Sequence, residues 1–147
     1  MKFQNFFVLG LSVISIFTFA AEHEVKMLNS GTEGYMVFEP AVLKVAVGDT
    51  VIFKATDMAH NSASIEGMIP EGANSWNGPM SRDVTVTVNK EGIYIYQCTP
   101  HAMMAMVGVI QVGGSSSNID SILVKVGNLK ASFVMNKERL DNYLAAL

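Results

Sequence analysis

The sequence predicts a β-sandwich of about seven short strands, followed by two helices. Three features of the chain support this prediction. Short stretches rich in Val, Ile and Thr recur, and turn-forming residues separate them. After the glycine and serine run at 113–117, apolar residues recur instead at the spacing of a helix. The fold class is therefore all-β with a helical tail from about residue 117.

The first twenty residues have the composition of a secretory signal peptide. Lys2 provides a positive charge, residues 6–17 are uncharged and mostly apolar, and the small residues Thr18 and Ala20 precede a suitable cleavage site. A membrane anchor is the alternative, but a spanning helix needs about 20 apolar residues and this run is shorter. We expect cleavage between Ala20 and Ala21, and therefore export.

The remaining residues, 21–147, are expected to form one domain. Lys2 is the only charged residue before position 21, so this part keeps 9 of the 10 Lys and Arg residues and all 13 Asp and Glu residues. Such a composition offers no clustered basic face, and nucleic-acid binding is not expected. No membrane association is expected after cleavage.

Seven strands are predicted, and in chain order they cover residues 24–28, 35–38, 42–47, 50–55, 84–88, 93–98 and 107–112. The turn residues Gly48 and Asp49 predict a hairpin between the third and fourth. Valines and threonines alternate over 84–88, which predicts one buried and one exposed face. The long connection 56–82 contains Trp76 and Ile65 as apolar side chains, so we expect it to be ordered.

The helical tail has two predicted segments. A cap at Ser117 or Asn118 and a stop at Gly127 bound the first segment. Its apolar face carries Ile119, Ile122, Leu123 and Val126. The second segment covers about residues 133–147, and its apolar stripe carries Leu140, Leu144 and Leu147. Both stripes predict packing against the sandwich, and a partner helix is the alternative.

Cys98 is the only cysteine of the chain, so it has no disulfide partner within the molecule. An unpaired cysteine in an exported protein forms an intermolecular bridge, reacts, or has its sulfur protected. A bound metal ion would protect it.

The loop that begins at Cys98 lies between two predicted strands and also contains His101, Met104 and Met106. His60 lies far upstream, just after another predicted strand, and a sandwich can bring two strand ends together at one pole. A thiolate, two imidazoles and a thioether would then face one point. Two His and one Cys with a weak axial Met form the blue-copper arrangement.

Each of these residues also has an ordinary structural role, since a lone Cys or Met usually fills a core. Their combination on one loop, with an upstream His-Asn pair, favours the metal site. Zinc is the main competitor, but a structural zinc site normally has four Cys or His ligands. The remaining histidine, His23, is expected to be solvated near the end of the exported chain.

The sequence resembles the small blue-copper proteins called cupredoxins. The likeness covers nearly all of residues 21–147 and is carried by Val37-Phe38-Glu39-Pro40, Gly48-Asp49-Thr50-Val51, His60-Asn61, Met68-Ile69-Pro70-Glu71-Gly72-Ala73, Cys98-Thr99-Pro100-His101 and the helical tail. It implies a Greek-key sandwich of eight strands with two C-terminal helices. It also implies one type 1 copper ion per chain and electron carriage in the periplasm by a monomer.

The resemblance implies copper ligands at His60, Cys98, His101 and Met106. Met106 lies five residues after His101, as in the cupredoxins that the whole chain resembles most, and it directly precedes the last strand. Met104 lies three residues after His101, the spacing of amicyanin-like loops, and is the alternative axial ligand. Asn61 is expected to tie its loop to the loop of Thr99.

An electron carrier is expected rather than an enzyme, because the site offers no general acid or base and no open position for a substrate. A copper carrier without redox function is the alternative. The resemblance implies redox partners such as cytochrome c or a dehydrogenase on one side and nitrite reductase on the other. Similar proteins carry lysines around the exposed His edge, whereas the matching positions here are Ser30, Met58, Asn77 and Gln97.

We therefore expect docking through an apolar patch around the edge of His101. The apolar patch consists of Met36, Met58, Pro100, Ala102 and Met104.

Overall fold

A computed structural model describes residues 19–147. The predicted signal peptide, residues 1–20, lies outside the described part except for its last two residues. Eight strands form two four-stranded sheets, and a 3₁₀ helix and two α-helices complete the fold. The strands are β1 Glu22–Gly31, β2 Gly34–Glu39, β3 Val42–Val45, β4 Thr50–Lys54, β5 Ala63–Ser64, β6 Val84–Thr87, β7 Gly92–Gln97 and β8 Val107–Val112. The α-helices are α1 Ile119–Ala131 and α2 Arg139–Ala145, and the 3₁₀ helix covers Thr99–Met104.

The two sheets have the strand orders β2-β1-β4-β6 and β3-β8-β7-β5. Strands β1 and β4 are parallel, as are β3 and β8, and the other pairs are antiparallel. Buried aromatic residues fill the space between the sheets, where Phe38, Phe53 and Tyr96 meet edge to face. The predicted all-β sandwich of about eight strands with two helices is confirmed.

The predicted hairpin around Gly48 and Asp49 is wrong. Strand β3 pairs with β8, whereas β4 pairs with β1 and β6, so the connection crosses from one sheet to the other. The Asp49 carboxylate closes this corner by accepting the backbone N–H groups of Ala46 (3.0 Å) and Ala21 (2.8 Å). A Gly-Asp turn suits a hairpin and a sheet-crossing corner equally, and local sequence does not separate them.

The predicted break after residue 28 is also wrong, because β1 continues through Asn29–Gly31. Ser30 pairs with Tyr35 and Gly31 with Gly34, so the pairing with β2 keeps this polar stretch extended. Pairing with a neighbouring strand here outweighs weak intrinsic strand propensity. The extension places Asn29 at the pole of the sandwich where the loops of His60 and Cys98 lie.

The helices cover the outer face of the second sheet, which explains why β7 and β8 are buried on both faces. A second core forms there, and it includes Ile93, Ile95, Val107, Val109, Ile122, Phe133 and Leu140. Within residues 19–147 there is no helix with the length and apolarity that a membrane span requires.

Three predicted details of α1 are wrong. The helix passes through Gly127 and ends at Ala131, because a single glycine in a helix costs only about 1 kcal/mol relative to alanine and does not by itself end the helix. Leu123 is 52% exposed, whereas Ile122 and Val126 are buried. The Asn118 side chain does not cap the helix; it exchanges two 2.8 Å hydrogen bonds with the backbone of Ile93 and so attaches α1 to β7.

The connection between β4 and β6 is ordered by the contacts of Trp76. Its ring stacks on Phe53 at a centroid distance of 5.8 Å, and its indole N–H donates to Ser62 Oγ at 2.9 Å. The short strand β5 lies within this connection and pairs with β7. Strand β5 begins three residues after His60, so its pairing with β7 anchors the end of the His60 loop to the second sheet.

Candidate metal centre

Three potential metal ligands converge at one pole of the sandwich. His60 Nδ1 lies 3.1 Å from His101 Nδ1, and Cys98 Sγ lies 3.6 Å and 3.4 Å from these two nitrogens. The donor atoms therefore form a nearly equilateral triangle. Its centre is roughly 2 Å from each corner, close to the bond lengths of about 2.0–2.3 Å that His nitrogen and Cys sulfur make to a zinc ion.

The three residues come from different elements. His60 lies in the loop after β4, Cys98 directly follows β7, and His101 lies in the 3₁₀ helix. His60 and Cys98 are fully buried, whereas His101 is partly exposed. The only route from the triangle to solvent through a ligand is therefore the edge of His101, and the other two donors are shielded from water.

Met106 ends the ligand loop and is also fully buried. Its carbonyl accepts the Cys98 N–H at 2.9 Å, and its own N–H donates to the His101 carbonyl at 3.3 Å. Cys98 and Met106 belong to the same core cluster. Met104, the alternative axial ligand, is partly exposed at the end of the 3₁₀ helix. Burial and backbone bonding therefore favour Met106 over Met104.

Two alanines beside the ligands have left-handed backbone conformations. Ala59 precedes His60 with φ 68°, and Ala105 precedes Met106 with φ 57°. This conformation costs a non-glycine residue about 1–2 kcal/mol, so neighbouring bonds must hold it. Ser81 does this for the first loop: its Oγ accepts the Ala59 N–H at 2.8 Å, and its N–H donates to the His60 carbonyl at 2.7 Å.

His60 is oriented by a residue that the sequence analysis did not identify. Its Nε2 lies 2.9 Å from Asn29 Oδ1, which leaves Nδ1 facing the other donors. The N–H of Asn29 donates in turn to Asp57 Oδ2 at 2.7 Å. Histidine ligands of metals usually have such a partner on the second nitrogen. Asn29 lies 31 residues before His60, and nothing local to either residue indicates the contact.

The expected link between Asn61 and Thr99 is present. Asn61 Oδ1 accepts the Thr99 N–H at 2.8 Å, and its amide group donates to Thr99 Oγ1 and to the Gly78 carbonyl, both at 3.2 Å. This one buried side chain joins the loop of His60 to the loop of Cys98. It therefore fixes the distance between two corners of the donor triangle, His60 and Cys98.

Burial favours the neutral forms of His60 and Cys98 in the absence of a cation. It lowers the pKa of His60, and the adjacent His101 adds to this effect while Asp57 opposes it. It also raises the pKa of the Cys98 thiol, and the backbone N–H groups of Asn61 and His101 oppose it only in part. A metal cation at the centre would stabilise the Cys98 thiolate and use the free lone pair of His60.

The donor set favours copper over zinc. Within residues 19–147, only three His or Cys side chains gather at this point, one fewer than a structural zinc site normally has. The expectation that His23 is solvated is wrong. His23 lies in β1, and its Nε2 pairs with Asp49 Oδ2 at 2.8 Å. The buried thioether of Met106 is the candidate fourth donor, and two His, one Cys and an axial Met form the set that is typical of blue copper.

Comparisons with known proteins agree with this assignment. The model of the copper binding proteins of the plastocyanin/azurin family matches residues 25–113. Pseudoazurin of Paracoccus pantotrophus is 42% identical over 86% of this chain and 84% of its own. The crystal structure of native pseudoazurin from Hyphomicrobium denitrificans matches with a TM-score of 0.75 and 38% identity, over 86% of this chain and 98% of that chain. The pseudoazurin structure from Methylobacterium extorquens AM1 matches with a TM-score of 0.73 and 37% identity, over 86% and 99%.

The fold and the donor triangle thus define a small copper protein of the cupredoxin class, with one type 1 copper as its cofactor. The match to the Paracoccus pantotrophus protein covers 127 of the 147 residues, so it extends beyond residue 113, where the match to the family model ends. The chain belongs to the pseudoazurin family.

Proposed function

We propose that this protein is a periplasmic one-electron carrier whose copper is bound by His60, Cys98, His101 and Met106. The observation that carries the proposal is the buried triangle of two imidazole nitrogens and one thiol sulfur, with only His101 reaching the surface. The predicted export segment and the family membership support the periplasmic location.

Copper supplies the one-electron couple between its divalent and monovalent states when it is bound. The surrounding residues hold the donors in one arrangement for both states. Asn29 fixes the ring of His60, and Asn61 joins the two ligand loops. A site that does not rearrange adds little to the barrier for electron transfer, which is what a carrier requires.

Electrons are expected to enter and leave through the edge of His101. The apolar patch lies around this edge: Met58 is 70% exposed, Pro100 is exposed, and Met36, Ala102 and Met104 are partly exposed. A redox partner that covers the patch would exclude water and bring its own centre close to His101. We propose cytochrome c or a dehydrogenase as donor and a reductase such as nitrite reductase as acceptor, with a monomer acting as the carrier.

Copper titration of the purified metal-free protein tests the assignment. One equivalent of Cu(II) is expected to produce the intense blue colour of a copper–thiolate bond, and a reductant should bleach it reversibly. Cys98→Ser removes the thiolate and should bind copper without that colour, whereas Ser116→Ala, at an exposed position outside the ligand loops, should stay blue. A colourless wild-type copper form would instead favour a copper carrier without redox function.

A further inference from the structure

The C-terminal segment, residues 134–139, donates hydrogen bonds to three consecutive carbonyl groups of the ligand loop. These carbonyls belong to the residues between His101 and Met106. The bonds run from the Val134 N–H to the Met103 carbonyl (2.8 Å), from Asn136 Nδ2 to that of Met104 (3.2 Å), and from Arg139 Nη1 to that of Ala105 (3.1 Å). We call this segment the C-terminal clamp.

Arg139 extends the clamp to a second loop. Its guanidinium also donates to the carbonyls of Met36 (2.9 Å), Tyr35 (3.1 Å) and Glu33 (3.4 Å) at the start of β2. The residue is only 8% exposed, and no carboxylate within residues 19–147 lies at ion-pair distance from it. A buried cation is thus surrounded by carbonyl oxygens, and one of them belongs to Ala105, which directly precedes the proposed ligand Met106.

The position of Arg139 breaks a local rule of helix design. It is the first residue of α2, where the helix dipole favours an acidic side chain and disfavours a cation. Violations of local rules concentrate where a residue serves function. Attachment of α2 to the sandwich does not require a buried charge, because Phe133, Leu140 and Tyr143 already pack into the second core.

We propose that the C-terminal clamp positions the ligand loop for copper and that Arg139 contributes a fixed positive charge that favours Cu(I) over Cu(II). The three bonds hold the loop rigid between His101 and Met106, and so hold the thioether of Met106. This inference rests on the proposed copper site.

The clamp differs from a purely structural attachment in what its removal changes. A structural attachment affects the stability of the fold alone. A positioning role affects the copper: outer partners of metal ligands typically change metal affinity by about 10–100-fold. It also affects the reduction potential, since loss of a nearby buried cation stabilises the more highly charged oxidised metal.

Arg139→Gln is the main test, with Lys137→Gln as the matched control. Both remove one cation from the same segment, but Lys137 is exposed. Arg139→Gln is expected to lower the reduction potential measured by voltammetry, to alter the visible and electron-spin spectra, and to weaken copper binding roughly tenfold or more. Lys137→Gln should leave all three unchanged. Arg139→Lys, which keeps the charge but not the fork of donors, should recover the potential more than the spectra.

Asn136→Gly provides a second test that does not depend on the folding of an Arg139 variant. Asn136 is exposed and has φ 53°, a conformation that glycine adopts freely, so only the bond to Met104 is lost. Faster hydrogen exchange of the amides of residues 103–106 in the metal-free protein, together with altered spectra of the copper form, is expected. The positioning role of the clamp would be overturned by the following result: the wild type binds copper and is blue, and the variants lose thermal stability but keep the wild-type potential, spectra and hydrogen exchange. A wild-type protein that does not become blue would instead overturn the proposed function.

Discussion

Three of the four proposed donor residues of the copper site are held by neighbours within the protein. Asn29 fixes the His60 ring, Asn61 fixes the Cys98 loop through Thr99, and the backbone of Met106 is bonded to that of Cys98. Donors that are already in place lose little conformational freedom when copper binds. The contribution of each neighbour is therefore measurable as a change in copper affinity or in potential.

The Asn29 contact gives the first prediction. Asn29→Ala leaves His60 Nε2 without its partner, so the ring can turn away from the triangle, and copper affinity should fall by about 10–100-fold. Ser30→Ala changes the adjacent exposed residue of β1 and serves as the control. Competition with a copper chelator measures both affinities. Equal affinities for the two variants would show that Asn29 does not orient the ligand.

The axial position gives the second prediction. Met106→Gln should keep copper bound but lower the reduction potential, because a harder oxygen ligand favours Cu(II). Met104→Gln should have a much smaller effect, since Met104 is partly exposed and Met106 is buried beside Cys98. Voltammetry of both variants under the same conditions makes the comparison. A larger shift for Met104→Gln would reverse the choice of axial ligand.

The sequence alone predicts the four proposed donor residues but not the residues that orient them. Cys98, His101 and Met106 share one short loop, so their spacing is visible, and His60 is recognisable by its place after a strand. Asn29 and Arg139 contact the site across 31 and 34 residues of chain, and each acts through one specific atom. Such contacts depend on how the loops and the tail come together, which no local pattern encodes.

At the scale of elements, the corner between β3 and β4 joins the two sheets and depends on one carboxylate. Asp49 is 5% exposed, and its oxygens accept from the backbones of Ala21 and Ala46 and contact His23. These bonds, that from Ala21 foremost, lower the pKa of Asp49 below its usual value of 3.8. The carboxylate therefore stabilises the fold in its ionised form.

The third prediction follows from this corner. Asp49→Asn should lower the free energy of unfolding by about 1–3 kcal/mol at neutral pH, because the amide cannot accept all these bonds. The wild-type advantage should be complete above pH of about 4, the ordinary value for Asp, and should disappear as pH falls through the lower folded pKa. Urea unfolding of the metal-free proteins from pH 7 to acid measures it, with Asp120→Asn, a change at an exposed position of α1, as the control. An advantage that does not shrink in acid would contradict the role assigned to the carboxylate.

The elements themselves were largely predictable, and their partners were not. Alternation over Val84–Thr87 and the helical spacing of Ile122 and Val126 each identify an element and its buried face. The partner of β3, however, is a strand more than 60 residues later in the chain. Whether two consecutive strands pair or separate into different sheets is decided by the packing of the whole core, so the hairpin prediction failed where purely local rules end.

At the scale of the whole molecule, the distribution of charge determines how the carrier meets its partner. The region around His101 offers few free cations. Lys54 is paired with Asp83, and the nearest charge that affects the pKa of His60 besides His101 is the anion Asp57. Arg82 is exposed and follows Ser81, whose N–H donates to the His60 carbonyl, so it is a candidate for a steering charge. A single exposed charge of this kind is strongly screened at physiological salt.

The fourth prediction is that docking depends on the apolar patch and only weakly on salt. Charge steering raises association rates by about 10–10³-fold and is lost as salt rises, so its absence should leave the rate nearly constant. Stopped-flow electron transfer to a redox partner, at about 10 and about 300 mM salt, measures this across a large change in screening.

Met58→Gln tests the patch directly, and Leu123→Gln is its control. Met58 is 70% exposed in the patch, and Leu123 is 52% exposed on α1, so both changes remove an exposed apolar side chain. Met58→Gln should slow electron transfer at both salt concentrations, because less apolar surface is buried when the partner covers His101. Leu123→Gln should leave the rate unchanged. Two results together would contradict this role of the apolar patch: a wild-type rate that falls roughly tenfold or more as salt rises, and a low-salt rate that is slower in Arg82→Gln than in the wild type. They would mean that charge guides the partner and that the apolar patch does not.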